Sequence, residues 1–428
     1  MNVLLGSCAL AALVGVVACE PRALSPSRPV ASPRGTGTAA ARAPRAAPEE
    51  PPARAPARTT VKRQLIAERA CEMEVFAVEG RTFVACGQEL LFLEAGQLSR
   101  EPALTRGLEL NVNSLGGRQL ARVAGRWPDA LWAATGEVSG GGNSGRLNFF
   151  RFRKDHWAKV GASVELGGAE GRAIFPWTAD GLGALAARPF ESTRFIAFSA
   201  KPVALPRLTK AVQSQAEREQ YPCVNAMIYP ETWARLGPGD VMIFSGQLCG
   251  VAGKGEHERW LGVERLRLGQ ATSELTLLPV PDDAPASTHW TVIASAALSP
   301  AQVLVVVSGI PTERSPSTPA RGFVQLIRWD GASWRAERSP LGGITGLWAL
   351  GDRFAATDEQ GALWLEHEAQ WSSVDWATDE PSSDAWSKGR INQLLAADAA
   401  WWLVRQEELP RGATTSRLYR LDVPLPSE

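Results

Sequence analysis

The chain has 428 residues and a formal net charge of zero, with 45 basic residues, 45 acidic residues and a hydrophobic content of 45%. Because no large excess of basic charge is present, this composition argues against nucleic acid as a partner. The longest apolar run, at the start, has about sixteen residues and falls short of the roughly 20 that span a bilayer as a helix. No integral membrane domain is therefore expected.

Residues 1–18 have the organisation of a signal peptide. An uncharged apolar run is followed by small residues directly before Cys19. The segment Val16-Val17-Ala18-Cys19 resembles the lipobox of bacterial lipoproteins, and this resemblance implies cleavage before Cys19 and acylation of its thiol. Several acyl chains on one cysteine would hold the chain stably at a membrane, since each buried CH₂ contributes about 0.8 kcal/mol.

The segment Met1-Asn2 lacks the Lys or Arg that usually opens a signal peptide, which indicates a start further upstream. An ordinary secretory signal, cleaved elsewhere and leaving no lipid, is the alternative to lipidation at Cys19. Glu20 follows the cysteine where retention of a lipoprotein in the inner membrane usually requires Asp. This favours the outer membrane of the cell envelope over the inner membrane.

Residues 19–60 comprise the predicted lipidated cysteine and a linker rich in Pro, Ala and Arg. The linker has no aromatic residue and too few large aliphatic residues to offset its ordering entropy, so it is predicted to be disordered. Repeated prolines favour extended polyproline II, in which some 40 residues reach on the order of 120 Å. The segment through Thr60 has seven Arg and three Glu, so a basic spacer precedes a slightly acidic domain with 38 basic and 42 acidic residues.

Residues 61–428 are predicted to form one all-β domain, a single β-propeller. Helical periodicity is scarce, whereas alternating strand patterns recur beside Gly, Asp and Asn turns. Hairpins are predicted at 90–98, 149–157, 324–334 and 361–371. Apolar segments precede the hairpins, and a unit of four strands is typical of a propeller blade. The repeats resemble those of bacterial β-propeller proteins, with a Leu/Trp-rich strand, a turn and an aromatic strand.

The repeats divide the domain into seven predicted blades of four strands, with six or eight as alternatives. The predicted blades are 71–104, 118–166, 172–208, 224–281, 290–340, 344–376 and 391–423. The segment from Val61 to Ala67 is predicted to add a strand to the final blade and close the ring, which removes an open sheet edge. The segment 209–220 is predicted to be a short helix inserted between blades. A pair of β-sandwiches is the competing all-β architecture.

Four cysteines remain beyond the signal peptide and Cys19, and an even number in an exported chain predicts disulfides. Of the three possible connectivities, the two local pairs are favoured, namely Cys71 with Cys86 and Cys223 with Cys249. Metal ligation is the rival, but no CxxC spacing or neighbouring pair of His supports it. No cofactor and no metal site is therefore predicted.

Motifs with a defined chemistry are scarce in the domain. The segment 140–145 satisfies GxGxxG, but a strand pattern follows it, so a hairpin loop is predicted in place of a nucleotide site. The segment 250–255 fails as a P-loop because Lys254 is followed by Gly. The histidines are far apart and form no metal doublet, although a fold can bring distant residues together. They are His156, His257, His289 and His367.

Carboxylates are numerous between Asp352 and Asp384, and paired acids can bind calcium or cleave glycosides. No DxDxDG-type loop is present, so these acids are predicted to be solvated in turns and on outer strands. The sixteen tryptophans are interpreted as architectural. Those expected to pack between blades are Trp157, Trp334 and Trp371. An exposed platform for sugars or peptides is the alternative for Trp376, Trp386, Trp401 and Trp402.

These patterns nominate no catalytic residue. The leading hypothesis is an exported lipoprotein, held at a membrane by its lipid, whose monomeric propeller binds or scaffolds a protein or glycan partner. The second hypothesis, from another class, is an exported hydrolase or lyase whose acids and histidines converge in the propeller channel. Both remain open at this stage, because propellers host both classes of function.

Overall fold

The computed structural model of the protein describes residues 58–113, 116–138, 144–167, 172–186, 194–199, 223–251, 257–279, 288–311, 323–367, 369–377, 389–397, 400–409 and 413–422. All of them belong to one compact unit, Ala55–Glu428. The predicted signal peptide, Cys19, nearly all of the predicted linker and the predicted helix at 209–220 lie outside the described residues. In the described ranges, no helix has the length and apolar character needed to cross a membrane.

Strands dominate the described chain, because alternating β-branched and aromatic residues favour extended backbone and Gly, Asp and Asn favour the turns between them. The strands are β1 (Arg58–Arg69), β2 (Met73–Val78), β3 (Arg81–Cys86), β4 (Glu89–Glu94), β5 (Gln97–Arg100), β6 (Asn111–Asn113), β7 (Gly116–Arg126), β8 (Ala130–Val138), β9 (Ser144–Arg153), β10 (His156–Lys159), β11 (Val164–Gly167), β12 (Arg172–Pro176), β13 (Gly181–Ala186), β14 (Arg194–Ser199), β15 (Cys223–Gly237), β16 (Asp240–Val251), β17 (His257–Arg267), β18 (Glu274–Leu277), β19 (Thr288–Ser299), β20 (Gln302–Pro311), β21 (Phe323–Trp329), β22 (Trp334–Arg338), β23 (Ile344–Leu350), β24 (Arg353–Asp358), β25 (Leu363–His367), β26 (Gln370–Ala377), β27 (Arg390–Ala397), β28 (Ala400–Glu408) and β29 (Thr414–Asp422). A turn of 3₁₀ helix, Pro102–Leu104, follows β5.

The strands form antiparallel meanders in which neighbours along the chain are neighbours in the sheet. The meanders β2 to β5, β15 to β18 and β19 to β22 each form a four-stranded sheet, and β12 to β14 form a three-stranded sheet in the described residues. The strands β6 to β10 form a further sheet, in which β11 pairs with β9. The four predicted hairpins are confirmed as β4–β5, β9–β10, β21–β22 and β25–β26.

The turn between β21 and β22 shows why the sequence signal was reliable there. Asp330 Oδ1 accepts hydrogen bonds from the backbone N of Ala332 at 2.9 Å and of Ser333 at 2.8 Å. Gly331 has a φ of +92°, a backbone conformation that glycine adopts without steric cost. The Asp-Gly pair therefore forms the turn directly.

The eight-stranded sheet joins two meanders through β1. Its order is β23-β24-β25-β26-β1-β29-β28-β27, so β1 lies between β26 and β29. It runs parallel to β26 and antiparallel to β29, with pairs from Lys62–Asp422 to Arg69–Ser416. The start of the domain thus adds an outer strand to the last meander, which confirms the ring-closing strand predicted at Val61 to Ala67. The parallel pairing with β26 covers the remaining edge as well.

Apolar clusters between successive meanders form a closed ring of packing. Phe83 of β3 and Phe150 of β9 share the first cluster, and further clusters join each meander to the next along the chain. The last cluster joins the final meander to the first, through Trp402 and Val84. Each large buried apolar side chain contributes about 1.5–3 kcal/mol. The architecture is an all-β propeller, since two separate sandwiches would leave no such continuous circuit.

The tryptophans that follow hairpin turns pack between sheets, as predicted. Trp157 is 2% exposed in the cluster between the first two meanders. Trp334 and Trp371 are partly buried against the clusters on either side of β19 to β22. Three of the remaining tryptophans named above, Trp376, Trp401 and Trp402, also pack against apolar clusters, whereas Trp386 lies outside the described residues. Their role in the described structure is architectural.

A disulfide joins Cys71, just before β2, to Cys86 at the end of β3, with a Cα–Cα distance of 5.5 Å. This confirms the first predicted pair. Cys223 lies on β15 and Cys249 on β16, but the side chains of both lie outside the described part of the structure. The pairing of Cys223 with Cys249 stays a prediction.

Candidate functional site

The first strands of successive meanders form the inner ring of the propeller. These inner strands are β2, β7, β12, β15, β19, β23 and β27, and each contacts the next, with β27 returning to β2. In a propeller such strands line the central channel. One side chain ties the two ends of the ring together. The amide of Gln393 in β27 accepts a hydrogen bond from Val75 N and donates one to Val75 O, both at 2.7 Å.

A β-bulge recurs at a corresponding place in several inner strands. In β7, β15, β19, β23 and β27, one residue lies in the bulge where the register with the following strand shifts. These residues are Ala121, Glu231, Ile293, Thr345 and Asn392. A bulge bends its strand and redirects the neighbouring side chains, and bulges are frequent next to binding sites. The residue after the bulge is Arg122 in β7 and Gln393 in β27, the two strands on either side of β2.

A cavity of about 640 Å³ opens at this part of the inner ring. Its wall comes from β2, β7, β12 and β15 and from the segments beside them. The polar and aromatic residues that line it are Glu72, Glu74, Gln88, Gln119, Arg122 and Trp233. Four of the inner strands therefore contribute to one concave, predominantly polar site.

Arg122 is the central group of this cavity. Its guanidinium carbon lies 4.9 Å from the centroid of the Trp233 ring and 5.7 Å from that of Phe76, which is within the range of cation–π contacts. Trp233 is held in turn against Phe175 of β12, with ring centroids 6.1 Å apart. Arg122 Nε is buried and has no hydrogen-bond partner among the described residues. Burial lowers the pKa of Arg122, Glu74 opposes this change, and Arg235 adds to it.

Glu74 supplies the carboxyl group whose charge acts on Arg122. Burial raises the pKa of Glu74 from 4.5 to about 7, while Arg122 lowers it and Glu72 raises it further. No direct ion pair joins Glu74 to Arg122 in the described structure, so burial outweighs their attraction. Near neutral pH the carboxyl group is therefore present in both protonated and ionised forms.

A second cavity of about 530 Å³ lies beside the same segment of chain. It is lined by Glu72, Gly389, Arg390, Gln406, Glu408 and Thr414. Glu72 lines both cavities, so the two adjoin where β2 begins and where β27 meets β2. The second cavity has an exposed rim and lacks a buried charged group comparable to Arg122.

The predicted histidines do not converge in the described residues. His156 opens β10, is exposed and lies 3.2 Å from Asp155 Oδ1, and His367 ends β25 on the surface. His257 and His289 stand at or near the start of β17 and β19, but their side chains lie outside the described part. The described residues hold no group of three or more His, Cys, Asp or Glu placed to bind a metal ion.

The prediction that the carboxylates between Asp352 and Asp384 are solvated was wrong for two of them. Asp358 and Glu366 are 8% and 4% exposed. Asp358 accepts hydrogen bonds from the backbone of its own turn and from Trp364 Nε1 at 2.9 Å. Glu366 pairs with Arg328 of the neighbouring sheet at 2.6 Å. These acids are structural, because both oxygens of Asp358 and Oε1 of Glu366 are used by a turn and by a contact between sheets.

Sequence reasoning missed Glu74, Arg122 and Trp233. None of them belongs to a recognisable motif, and they are separated by up to 159 positions in the chain. The available signal was Glu74 alone, a charged residue in the otherwise apolar strand β2, since a charge is expected to need a partner or a ligand once buried.

The chain matches no protein-family model, and no curated protein matches it. Among solved structures, the polysaccharide lyase Uly1 is 8% identical over 84% of this chain and 99% of that chain, with a TM-score of 0.43. An α-L-arabinanase of Penicillium chrysogenum, complexed with arabinobiose, is 10% identical over 84% and 92% of the two chains, with a TM-score of 0.36. BamB from Moraxella catarrhalis is 10% identical over 83% and 99%, with a TM-score of 0.34. The architecture assigned to this chain follows from its own strand pairing and packing.

Proposed function

We propose that this chain is an exported lipoprotein, acylated at Cys19, whose seven-bladed propeller binds a glycan or protein partner through the cavity of its inner ring. The observation that carries the binding proposal is the arrangement around Arg122. A half-buried arginine whose Nε has no hydrogen-bond partner among the described residues, a carboxyl group and an indole ring converge in one open cavity. A few convergent polar groups in a concave site are typical of ligand binding.

Seven blades are supported by the inner strands, each of which begins a new meander. The third blade, predicted at 172–208, has β12 to β14 within the described residues. The seventh blade combines β27, β28 and β29 with β1. The chain acts as a monomer under this proposal, because the ring closes on itself and needs no second copy to cover a sheet edge.

The lipid anchor and the outer-membrane location rest on the segment before Cys19 and on Glu20. Growth of the native bacterium or a suitable expression host with a radiolabelled fatty acid tests the anchor. The full chain is expected to incorporate label, and Cys19→Ala is expected to lose it. Equal labelling of both chains would contradict acylation at Cys19.

Binding is tested with the full chain immobilised and exposed to size-fractionated oligosaccharides from envelope and extracellular polysaccharides. Retention that falls sharply in Trp233→Ala is expected, because this ring forms one wall of the cavity. Trp348→Ala is the matched control, since Trp348 belongs to β23 of the inner ring but does not line the cavity. Equal retention by wild type and Trp233→Ala would contradict binding at this site.

A hydrolase or lyase remains the second candidate, and one observation favours it. Glu74 has a pKa of about 7, a value suited to a general acid or base near neutral pH. Under this candidate, incubation with the retained oligosaccharide yields shortened or unsaturated products, and Glu74→Gln abolishes them while binding persists. Under the binding proposal, wild type returns the oligosaccharide unchanged.

A further inference from the structure

We infer that the inner-ring cavity takes an acidic glycan, and that Arg122 binds a carboxylate of its sugar units. This inference rests on the proposed binding function and names the class of ligand. Its observations are the unpartnered Nε of Arg122, the local balance of charge and the polar character of the surrounding wall.

Arg122 is prepared to bind a planar anion. A guanidinium has five N–H donors, and its fork matches the two oxygens of a carboxylate. The Nε of Arg122 is buried and has no hydrogen-bond partner among the described residues. The guanidinium also contacts the rings of Trp233 and Phe76, and a cation–π contact leaves its N–H donors available. A buried donor left unpaired is costly. An anion that enters the cavity would therefore meet a guanidinium with a donor that still lacks a partner.

The charged groups near Arg122 are two carboxyl groups that line the cavity, Glu72 and Glu74, and a second cation, Arg235. Arg235, two residues beyond Trp233 on β15, acts on Arg122 as a like charge. Glu74 opposes these cations, but its raised pKa leaves part of this carboxyl group protonated at neutral pH. Glu74 does not form a direct ion pair with Arg122. The positive charge of the guanidinium can therefore act on a ligand in the cavity.

The rest of the wall suits sugar hydroxyl groups. Gln88 and Gln119 line the cavity beside Glu72 and Trp233. Amide side chains both donate and accept hydrogen bonds, and hydroxyl groups do the same. An acidic peptide would supply the carboxylate but few hydroxyl groups for these amides. A volume of about 640 Å³ lies within the range of small-molecule sites, which suits a short oligosaccharide.

The probe is an oligogalacturonate, measured by calorimetric titration of the full chain in detergent at low salt. Three comparison ligands separate the possible sources of the interaction. They are the same oligosaccharide with its carboxylates reduced to alcohols, an oligosaccharide of equal length that has sulfate groups in place of carboxylates, and a poly-glutamate peptide. We expect binding of the oligogalacturonate and at least tenfold weaker binding of each comparison ligand, since a charge-assisted hydrogen-bonded pair accounts for about a factor of ten or more.

Two variants assign the interaction to Arg122. Arg122→Gln is expected to weaken oligogalacturonate binding by about tenfold or more, whereas Arg126→Gln, at the exposed end of the same strand, leaves it unchanged. Glu74→Gln removes the competing carboxylate and is expected to strengthen binding at pH 8. This gain keeps the inference testable if Arg122→Gln fails to fold.

The outcomes separate the inference from the proposed function. Binding of the reduced oligosaccharide as tight as that of the acidic one, unaffected by Arg122→Gln, would overturn the inference and leave glycan binding in place. Preference for poly-glutamate or for the sulfated sugar would overturn the ligand class. No binding of any probe, together with failure of the retention assay above, would overturn both proposals.

Discussion

Arg122 and Glu74 belong to the inner-ring cavity, and the residues beside them in the sequence do not indicate this. Glu74 is the one ionisable residue of β2, whereas Arg122 is one of three arginines in β7, so the pattern of β7 does not single it out. The bulge at Ala121 shifts the register of β7, and ring packing brings β7 beside β2. The sequence could indicate the strands, but not that these two charges meet, because their proximity depends on the closure of the whole ring.

Stability is expected to depend on pH through Glu74. Because its pKa is raised on folding, its favourable contribution is present below the unfolded value near 4.5 and is lost as pH rises through about 7. The groups facing it are Arg122 from β7, Glu72 on its own segment and, through Arg122, Arg235 from β15. Urea unfolding should show wild type less stable at pH 8 than at pH 5 by on the order of 3 kcal/mol from this group.

Glu74→Gln should remove that part of the difference and be the more stable protein at pH 8. Glu79→Gln, exposed just beyond the end of β2, serves as the matched control and should retain the wild-type dependence. An unchanged pH dependence in Glu74→Gln would show that burial does not perturb this carboxyl group.

At the level of elements, the hairpins and the packing of their tryptophans between sheets were predicted, whereas the polar contacts between sheets were not. The turn at Asp330-Gly331 follows from local chemistry, since the aspartate accepts the turn's own N–H groups. Glu366 was expected in solvent because it alternates with apolar residues on an outer strand. Its actual partner, Arg328, belongs to β21 of the preceding sheet. Such pairs depend on how sheets stack, which a single strand pattern does not encode.

Loss of Arg328 is expected to destabilise the contact between β21 and β25. Arg328 bonds Glu366 at 2.6 Å and Glu337 at 3.1 Å. Arg328→Met leaves the buried Glu366 without its cation and should cost roughly 3–5 kcal/mol of unfolding free energy at pH 8. The double variant Arg328→Met/Glu366→Gln should recover part of that cost in urea unfolding. A double variant as unstable as the sum of the two single variants would mean that the pair does not interact.

For the whole molecule, the ring-closing strand was predictable and the detail of closure was not. An apolar segment left outside the repeats indicated a strand for the final blade, since propeller edges need a partner. The further parallel pairing of β1 with β26 had no sequence signal, because it depends on the position of an adjacent blade. The cavity at the inner ring likewise exists only after closure. Its residues are far apart in the sequence and therefore form no motif.

Closure by β1 is expected to be essential for the stability of the domain. Val61 of β1 is fully buried between the last two meanders. Val61→Asp places a carboxylate in that cluster and should cost about 4 kcal/mol or more, measured by urea unfolding followed through tryptophan fluorescence. Gln64→Asp, at an exposed position of the same strand, should change stability little. Similar stability of the two variants would contradict closure by β1.

Hydrogen exchange by mass spectrometry on the full chain, with and without oligogalacturonate, tests the central claim most directly. Slower exchange is expected in peptides covering Glu72 to Val75, Gln119 to Val123 and Glu231 to Arg235, because these segments of β2, β7 and β15 surround Arg122. The same ligand should leave the outer strands of the blades unchanged. Protection confined to outer strands or to the second cavity at Gly389 and Arg390, with none at these three segments, would contradict binding at the inner-ring cavity.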